Sequence, residues 1–145
     1  MKIVNWVKEN SLLTALLIIS FLLRIYRLDV QSPWADEMFT LINSSSKKSM
    51  LEIFKVLKDD VHPPLYYYII HFFSLVFGDS SYIARLISVL FGIGGLAAMY
   101  YLAKELFGNK NIGLIAVAFL TFNFYHITYS QEARMYTMMF FSTVM

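Results

Sequence analysis

Three groups of polar side chains are spaced so that together they could form one reaction site. Each group brings two such side chains within two residues of each other: Asp36 with Glu37, Asp60 with His62, and Glu132 with Arg134. A carboxylate can accept the proton of a hydroxyl group that attacks a substrate, and an arginine can stabilise an anionic leaving group. A carboxylate with a neutral imidazole can also help to bind a divalent metal, although a metal site needs further ligands.

The composition is typical of a membrane protein. The chain has 145 residues, of which 58% are hydrophobic, and its mean hydropathy is +0.57. Only 15% of the residues are charged, compared with about 25% in soluble domains. A net charge of +2 argues against a nucleic acid partner, and the absence of cysteine excludes disulfides and thiolate chemistry.

The apolar segments predict an all-α, polytopic transmembrane protein. Uncharged runs predict spans over about 6–26, 82–103 and 112–128, and a further span starts at about 134. A cleaved signal peptide is the other interpretation of the first run, but no small-residue cleavage site follows Leu23. Because the last run ends inside an apolar stretch, we expect the chain to be the N-terminal portion of a longer transmembrane domain.

The polar loop over 28–78 is predicted to contain short helices that lie on the membrane surface. Ser32 and Pro33 have the residue types of an N-cap and a first helical position. Ser49 and Glu52 have the spacing of a capping box, which predicts the start of a second helix. Asp36 and Glu37 also have a purely structural explanation, because the helix dipole favours acidic residues near the start of a helix.

A third helix, from Leu65 to Phe77, decides whether the polar groups can share one side of the membrane. Its 13 residues cover about 20 Å, which is less than the hydrocarbon core of about 30 Å. We therefore predict that this helix does not cross. The chain then crosses twice between Asp36 and Glu132, and the three groups face the same side. If the helix does cross, Glu132 lies opposite Asp36 and no shared site is possible.

The residues around these groups resemble the motifs of a known family. The three matching strings are Trp-Ala-Asp-Glu at 34–37, Asp-x-His-Pro-Pro-Leu-Tyr-Tyr at 60–67 and Tyr-Ser-Gln-Glu-Ala-Arg-Met-Tyr at 129–136. They are similar to the polyprenyl-phosphate-dependent membrane glycosyltransferases of the GT-C fold, which include protein mannosyltransferases and aminoarabinose transferases. Their order matches that family's first external loop, juxtamembrane helix, two spans and second external loop.

The resemblance implies that a sugar is transferred, with inversion, from a polyprenyl-phosphate donor to a hydroxyl of a lipid, glycan or protein acceptor. It implies an active face outside the cytoplasm in a multi-pass protein of the plasma membrane. Asp36 matches the general base of the family, and Glu132 matches the acid of the second external loop. The resemblance further implies that Glu37, Arg134 and Tyr129 contact the substrate.

A divalent metal is the cofactor that the resemblance suggests. Some relatives carry a metal-binding acid shortly before the Pro-Pro pair, where this chain has Val61. Asp60 or His62 would have to take the place of that acid. These two residues are therefore the candidate metal ligands, and the requirement for a metal is left open.

The distribution of basic residues favours the opposite orientation. Eight lysines divide equally between the loop assigned outside and the segments assigned inside: Lys47, Lys48, Lys55 and Lys58 against Lys2, Lys8, Lys104 and Lys110. Arg24 and Arg27, at the end of the first span, add to the outer count. The positive-inside rule would then place the loop in the cytoplasm. The extracytoplasmic assignment therefore rests on the resemblance.

A transporter or channel subunit is the alternative function. In such a protein Asp36, Glu132 and Arg134 would line a path for a substrate or for protons. The two functions differ in depth, because a transferase places these residues at one membrane face and a transporter places them near the midplane. A non-catalytic assembly protein is a third alternative. We expect the chain alone to be inactive as a transferase, because a donor cavity would need further helices.

Overall fold

The computed structural model describes residues 6, 7, 9–58, 60 and 62–145, so Lys2, Lys8 and Val61 lie outside the described residues. Within that part every regular element is a helix, which confirms the all-α prediction. The helices are α1 (Ser11–Ile25), α2 (Ala35–Asn43), α3 (Met50–Leu57), α4 (Leu65–Phe77), α5 (Ser81–Phe107), α6 (Lys110–Phe122), α7 (Phe124–Ser130) and α8 (Tyr136–Val144).

The longest helix, α5, is long and apolar enough to cross a bilayer. It has 27 residues, and α6 with α7 also qualifies if the two are counted as one span bent by 66°. The apolar helices α1 and α4 are shorter, with 15 and 13 residues. The described residues therefore contain one helix of spanning length, or two if the bent pair is counted.

The two predicted helix starts in the polar loop have different outcomes. α3 begins as predicted, because the Ser49 hydroxyl accepts from the Glu52 N–H and the Glu52 carboxylate accepts from the Ser49 N–H. The start at Ser32 and Pro33 is wrong, since α2 begins at Ala35. Trp34 is the N-cap of α2, and its extended backbone, with ψ of 176°, separates Ser32 and Pro33 from the helix.

The helix predicted over 112–128 is divided at Asn123, between α6 and α7. Asn123 has an extended backbone, with ψ of 119°, and its side chain accepts from the His126 N–H at 2.9 Å. The side chain thus acts as the N-cap of α7 and starts a new helix in a different direction. The bend brings the chain after α7 back toward α1.

α5 forms the centre of the fold. Its first half packs against α4 and the residues around Met135, in a cluster that includes Tyr66, Ile70 and Ile87. Its second half packs against α1 and α6, in a second cluster. The first cluster therefore lies beneath the polar loop and supports the residues described next.

Candidate functional site

Glu37 and Arg85 form a buried ion pair, called here the Glu37–Arg85 pair. Arg85 Nε donates to Glu37 Oε1 at 2.8 Å, and a terminal nitrogen donates to Oε2 at 2.7 Å. Glu37 is only 1% exposed. Its Oε1 also accepts from the N–H of Ala133 at 2.8 Å. The pair therefore joins α2 and α5 to the turn that carries Glu132 and Arg134.

The remaining hydrogen bonds of Arg85 hold the segment ahead of α2. Its second terminal nitrogen donates to the carbonyls of Leu28 at 2.9 Å and Gln31 at 2.8 Å. Burial alone would raise the pKa of Glu37, but the hydrogen bonds from Arg85 and Ala133 and the Arg85 charge lower it more. The net result is a Glu37 pKa below its ordinary value, so the pair is charged on both sides.

Arg134 is a second buried arginine, 3% exposed, and it faces Asp36. One terminal nitrogen donates to the Asp36 carbonyl and to the Thr40 hydroxyl, both at 3.2 Å. The other lies 3.8 Å from Asp36 Oδ2 and 3.5 Å from His62 Nε2. Its Nε has no hydrogen-bond partner among the described residues. The side chain thus retains one buried donor that none of the described residues accepts from.

The Asp36 carboxylate is open to solvent, in contrast to that of Glu37. Its side chain is 48% exposed, while the neighbouring Arg134 side chain is 4% exposed. An accessible carboxylate beside a fixed cation has the geometry needed to accept a proton from an incoming hydroxyl group. The predicted substrate contact of Glu37 would require the Glu37–Arg85 pair to open, because both Glu37 oxygens are already bonded.

Glu132 lies in the same region but in a less favourable environment. Its Oε2 is buried and has no hydrogen-bond partner within the described part of the chain. Burial raises the pKa of Glu132 above its ordinary value, and the negative charge of Glu37 raises it further. The protonated carboxyl is therefore favoured more strongly than in a solvated glutamate.

Tyr129 is connected to Arg134 through a second tyrosine. The rings of Tyr129 and Tyr136 have centroids 4.8 Å apart, and the Arg134 guanidinium lies 5.9 Å above the Tyr136 ring. Tyr129 is 43% exposed. The pair of rings gives the site an aromatic edge next to its buried cation.

Asp60 and His62 form a close pair at the border of this region. His62 Nδ1 lies 3.4 Å from Asp60 Oδ1, and His62 Nε2 faces Arg134, which can only donate. No group of three metal-ligating side chains is found among the described residues. Asp60 and His62 alone offer too few metal ligands, and the nearby guanidinium is positively charged. Their arrangement therefore fits a hydrogen-bonded pair better than a site for a divalent cation. Metal binding at Asp60 and His62 stays a prediction.

α4 contacts the polar loop at its beginning, at its middle and just beyond its end. The Tyr67 ring packs edge-on against Phe39 with centroids 6.3 Å apart, and His71 Nδ1 lies 3.1 Å from the Ser45 carbonyl. Asp79, two residues past α4, accepts from the Ser45 hydroxyl at 2.7 Å. α4 therefore runs along the loop.

Sequence reasoning placed Asp36, His62 and Arg134 in one site, and the structure brings these three together. It missed the partner of Glu37. Arg85 falls within the span predicted over 82–103, and an ionisable residue in such a segment usually has a buried partner. That general expectation indicates that Arg85 has a buried partner, but it does not indicate which residue that partner is.

Arginines and carboxylates thus group near the start of α5, and a family comparison assigns the chain to the membrane glycosyltransferases of the mannosyltransferase type. Residues 61–145, more than half of the chain, match the family model described as dolichyl-phosphate-mannose-protein mannosyltransferase. The chain belongs to this family, which confirms the resemblance drawn from its motifs. The matched region includes Glu132 and Arg134 but begins after Asp36. The searches of curated proteins and of solved structures gave no match.

Proposed function

We propose that this protein transfers a sugar from a polyprenyl-phosphate donor to the hydroxyl group of an acceptor, with inversion at the anomeric carbon. The observation that carries the proposal is the Asp36 carboxylate, which is half-exposed and lies 3.8 Å from the buried Arg134 guanidinium. A base that substrate can reach is thus held beside a cation that can attract the anionic donor.

The proposed reaction is a single displacement. Asp36 accepts the proton of the acceptor hydroxyl as its oxygen forms a bond to the anomeric carbon. The bond between that carbon and the phosphate oxygen breaks, and the lipid phosphate leaves with the electron pair. Attack from the face opposite the leaving group inverts the configuration.

Arg134 is the proposed contact for the lipid phosphate. Its charge suits a phosphate oxygen, because hydrogen bonds between ionised groups are strong. Its Nε is buried, so the proposed contact requires the guanidinium to become accessible when the donor binds. Tyr129 provides an exposed ring at the border of the site, and Glu132 provides a carboxyl group that burial favours in its protonated form. Glu37 acts in this proposal by holding α2, and therefore its neighbour Asp36, against α5.

The proposed topology is that of a multi-pass membrane protein. α1, α5, the bent pair α6–α7 and the segment beginning with α8 cross the membrane, while α2, α3 and α4 lie at the extracytoplasmic surface. The contacts of α4 with Ser45 support this arrangement, because a helix that lies along the loop would leave Asp36 and Glu132 on the same side of the membrane.

The position of the site along α5 favours a transferase over a transporter. Arg85, which binds Glu37, is the fifth residue of the 27-residue α5. The charged residues therefore group near one end of the spanning helix. A path for protons or solutes would instead need charged residues near the middle of the membrane.

The test is the Asp36→Asn variant of the full-length protein, assayed for sugar transfer from a polyprenyl-phosphate donor. Loss of a general base is expected to reduce kcat by roughly 100-fold to 10,000-fold. Glu105→Gln, which changes an exposed acid near the far end of α5, serves as the matched control and should keep normal activity. Full activity of Asp36→Asn would exclude Asp36 as the base.

A further inference from the structure

Arg24, near the end of α1, is fully buried and has no part in the proposed chemistry. Its guanidinium donates to the carbonyls of Leu120 at 3.0 Å and Thr121 at 3.4 Å, in the last turn of α6. Its Nε donates to the Ser130 hydroxyl at 3.2 Å. It also donates to the side chain and carbonyl of Ser20 within α1. One side chain thus joins α1 to both helices of the bent pair.

The break at Asn123 explains why an arginine is needed here. In a continuous helix the carbonyls of Leu120 and Thr121 would accept from the N–H groups four residues later. The 66° bend between α6 and α7 takes those N–H groups away. The Leu120 carbonyl keeps only a long hydrogen bond of 3.4 Å from the Asn123 N–H in their place. Polar backbone groups left unpaired in an apolar environment cost several kcal/mol each. The planar fork of a guanidinium, with five N–H donors, can satisfy several such acceptors at once.

His126 completes the connection on the α7 side. Its Nδ1 lies 2.9 Å from a terminal nitrogen of Arg24. Because arginine can only donate, Nδ1 accepts and the imidazole proton resides on Nε2. Arg24 therefore contacts the last turn of α6 and two residues of α7, His126 and Ser130, on either side of the bend.

A second connection lies directly before the site residues. The Gln131 amide donates to the carbonyls of Arg24 and Tyr26, each at 3.0 Å. Gln131 immediately precedes Glu132. The end of α1 therefore binds the last turn of α6, before α7, and Gln131, directly after α7. The direction of α7 in turn determines where Glu132 and Arg134 lie.

We propose that Arg24 is a positioning residue, which maintains the α6–α7 bend and thereby places Glu132 and Arg134 beside Asp36. The expected effect of Arg24 on sugar transfer rests on the proposed function. The geometric consequence, the direction of α7, is independent of any activity. The two can therefore be measured separately.

The geometric test measures the distance between two spin labels in the full-length protein. These 145 residues contain no cysteine, so single cysteines are introduced at Tyr129 and Tyr101, both exposed, after any cysteine elsewhere in the full-length protein has been replaced. Tyr129 lies six residues beyond Asn123, so straightening a 66° bend would move it by roughly 10 Å. Arg24→Met should shift or broaden the distance distribution. Arg27→Met, at an exposed arginine three residues further on, should leave it unchanged.

The catalytic test uses unlabelled variants. Arg24→Met should lower kcat by roughly 100-fold or more, because a displacement of reacting groups by about 1 Å already costs that much. Arg24→Lys should restore part of the activity and of the distance distribution. If Arg24→Met does not accumulate as folded protein, Arg24→Lys carries both tests, with a smaller shift expected. A wild-type distance distribution in these variants, or a shifted one with normal transfer, would overturn the inference. Absence of sugar transfer in the wild type would refute the proposed function, while the distance measurement would still decide whether Arg24 maintains the bend.

Discussion

Asp36 and Glu37 are neighbours in the chain, yet their carboxylates have opposite surroundings. Glu37 points into the fold, where Arg85 and the Ala133 N–H bind both of its oxygens. Asp36 points outward and keeps half of its side chain exposed. Because consecutive residues on a helix face directions about 100° apart, one acid can support the structure while the other remains available to substrate.

Replacement of Glu37 by glutamine should strongly destabilise the protein. The variant leaves Arg85 as a buried charge without its counter-ion, which costs on the order of 3–5 kcal/mol. The free energy of unfolding, measured by circular dichroism in detergent with urea at pH 7, should fall by about that amount. Glu105→Gln is the control for the loss of one exposed acid. A change below about 0.5 kcal/mol, the range of ordinary surface substitutions, would contradict the predicted role of the pair.

The same residue predicts a pH dependence with a definite sign. The pKa of Glu37 in the folded protein is below its ordinary value of 4.5. The contribution of the ionised Glu37 to the stability of the folded protein is therefore fully present above pH 4.5. It is lost as the pH falls through the pKa that Glu37 has in the folded protein. The stability difference between wild type and Glu37→Gln should be constant from pH 7 to about pH 5 and should shrink below that. A difference that persists unchanged in strong acid would contradict the assignment.

Close contacts between helices depend on residues without side chains. Gly113 of α6 lies against α5, and a Cβ atom added there would be 2.7 Å from the carbonyl oxygen of Tyr100. A backbone oxygen cannot move aside as a flexible side chain can. At Gly94 of α5 the nearest atoms are instead those of the Phe141 ring, at 3.2 Å. The two glycines therefore differ in how much the surrounding structure can adapt.

Alanine substitution at these glycines should consequently give different losses of stability. Gly113→Ala should lower the free energy of unfolding by about 1–3 kcal/mol, the usual cost of overpacking. Gly94→Ala should have a smaller effect, because the Phe141 ring can shift by a few tenths of an ångström. Thermal unfolding of both variants in the same detergent provides the comparison. Equal effects would show that the close approach of α5 and α6 is not rigid.

For the molecule as a whole, the orientation depends on how its arginines are counted. Arg24 and Arg85 lie near the ends of apolar helices, but both are buried and hydrogen-bonded inside the protein. Neither side chain is available to interact with the membrane surface, so neither supports an orientation through the positive-inside rule. Because the lysines divide equally between the two sides, the exposed Arg27 is then the one residue by which the outer count exceeds the inner count.

Cysteine labelling tests the topology directly. With α4 lying along the loop, single cysteines at Lys47 and Tyr129 should react with a membrane-impermeant reagent from the same side. A cysteine at Asn109, in the turn between α5 and α6, should react only from the opposite side. In intact cells the first two should be labelled if the loop is extracytoplasmic. Labelling of positions 47 and 129 from opposite sides would exclude a shared site.

Local signals determined several features of this protein before any folding was considered. The capping box at Ser49, the proline before α4 and the glycine after it define α3 and α4 at the predicted residues, because each signal acts within one helical turn. The all-helical class followed in the same way from long apolar runs. The motifs that identified the family are also continuous stretches of sequence, which is why they could be recognised without a structure.

Only the tertiary structure decided which polar groups are partners. Glu37 finds Arg85 48 residues away, and Arg24 reaches Leu120 across 96 residues. Pairings at such separations depend on how whole helices pack, so no local pattern indicates them. The same reason accounts for the α6–α7 bend, where the hydrogen bonds lost within one helix are replaced by a side chain from another. The sequence alone therefore determined the residue types of the site, and the packing of α1, α5 and α6–α7 determined which of them meet.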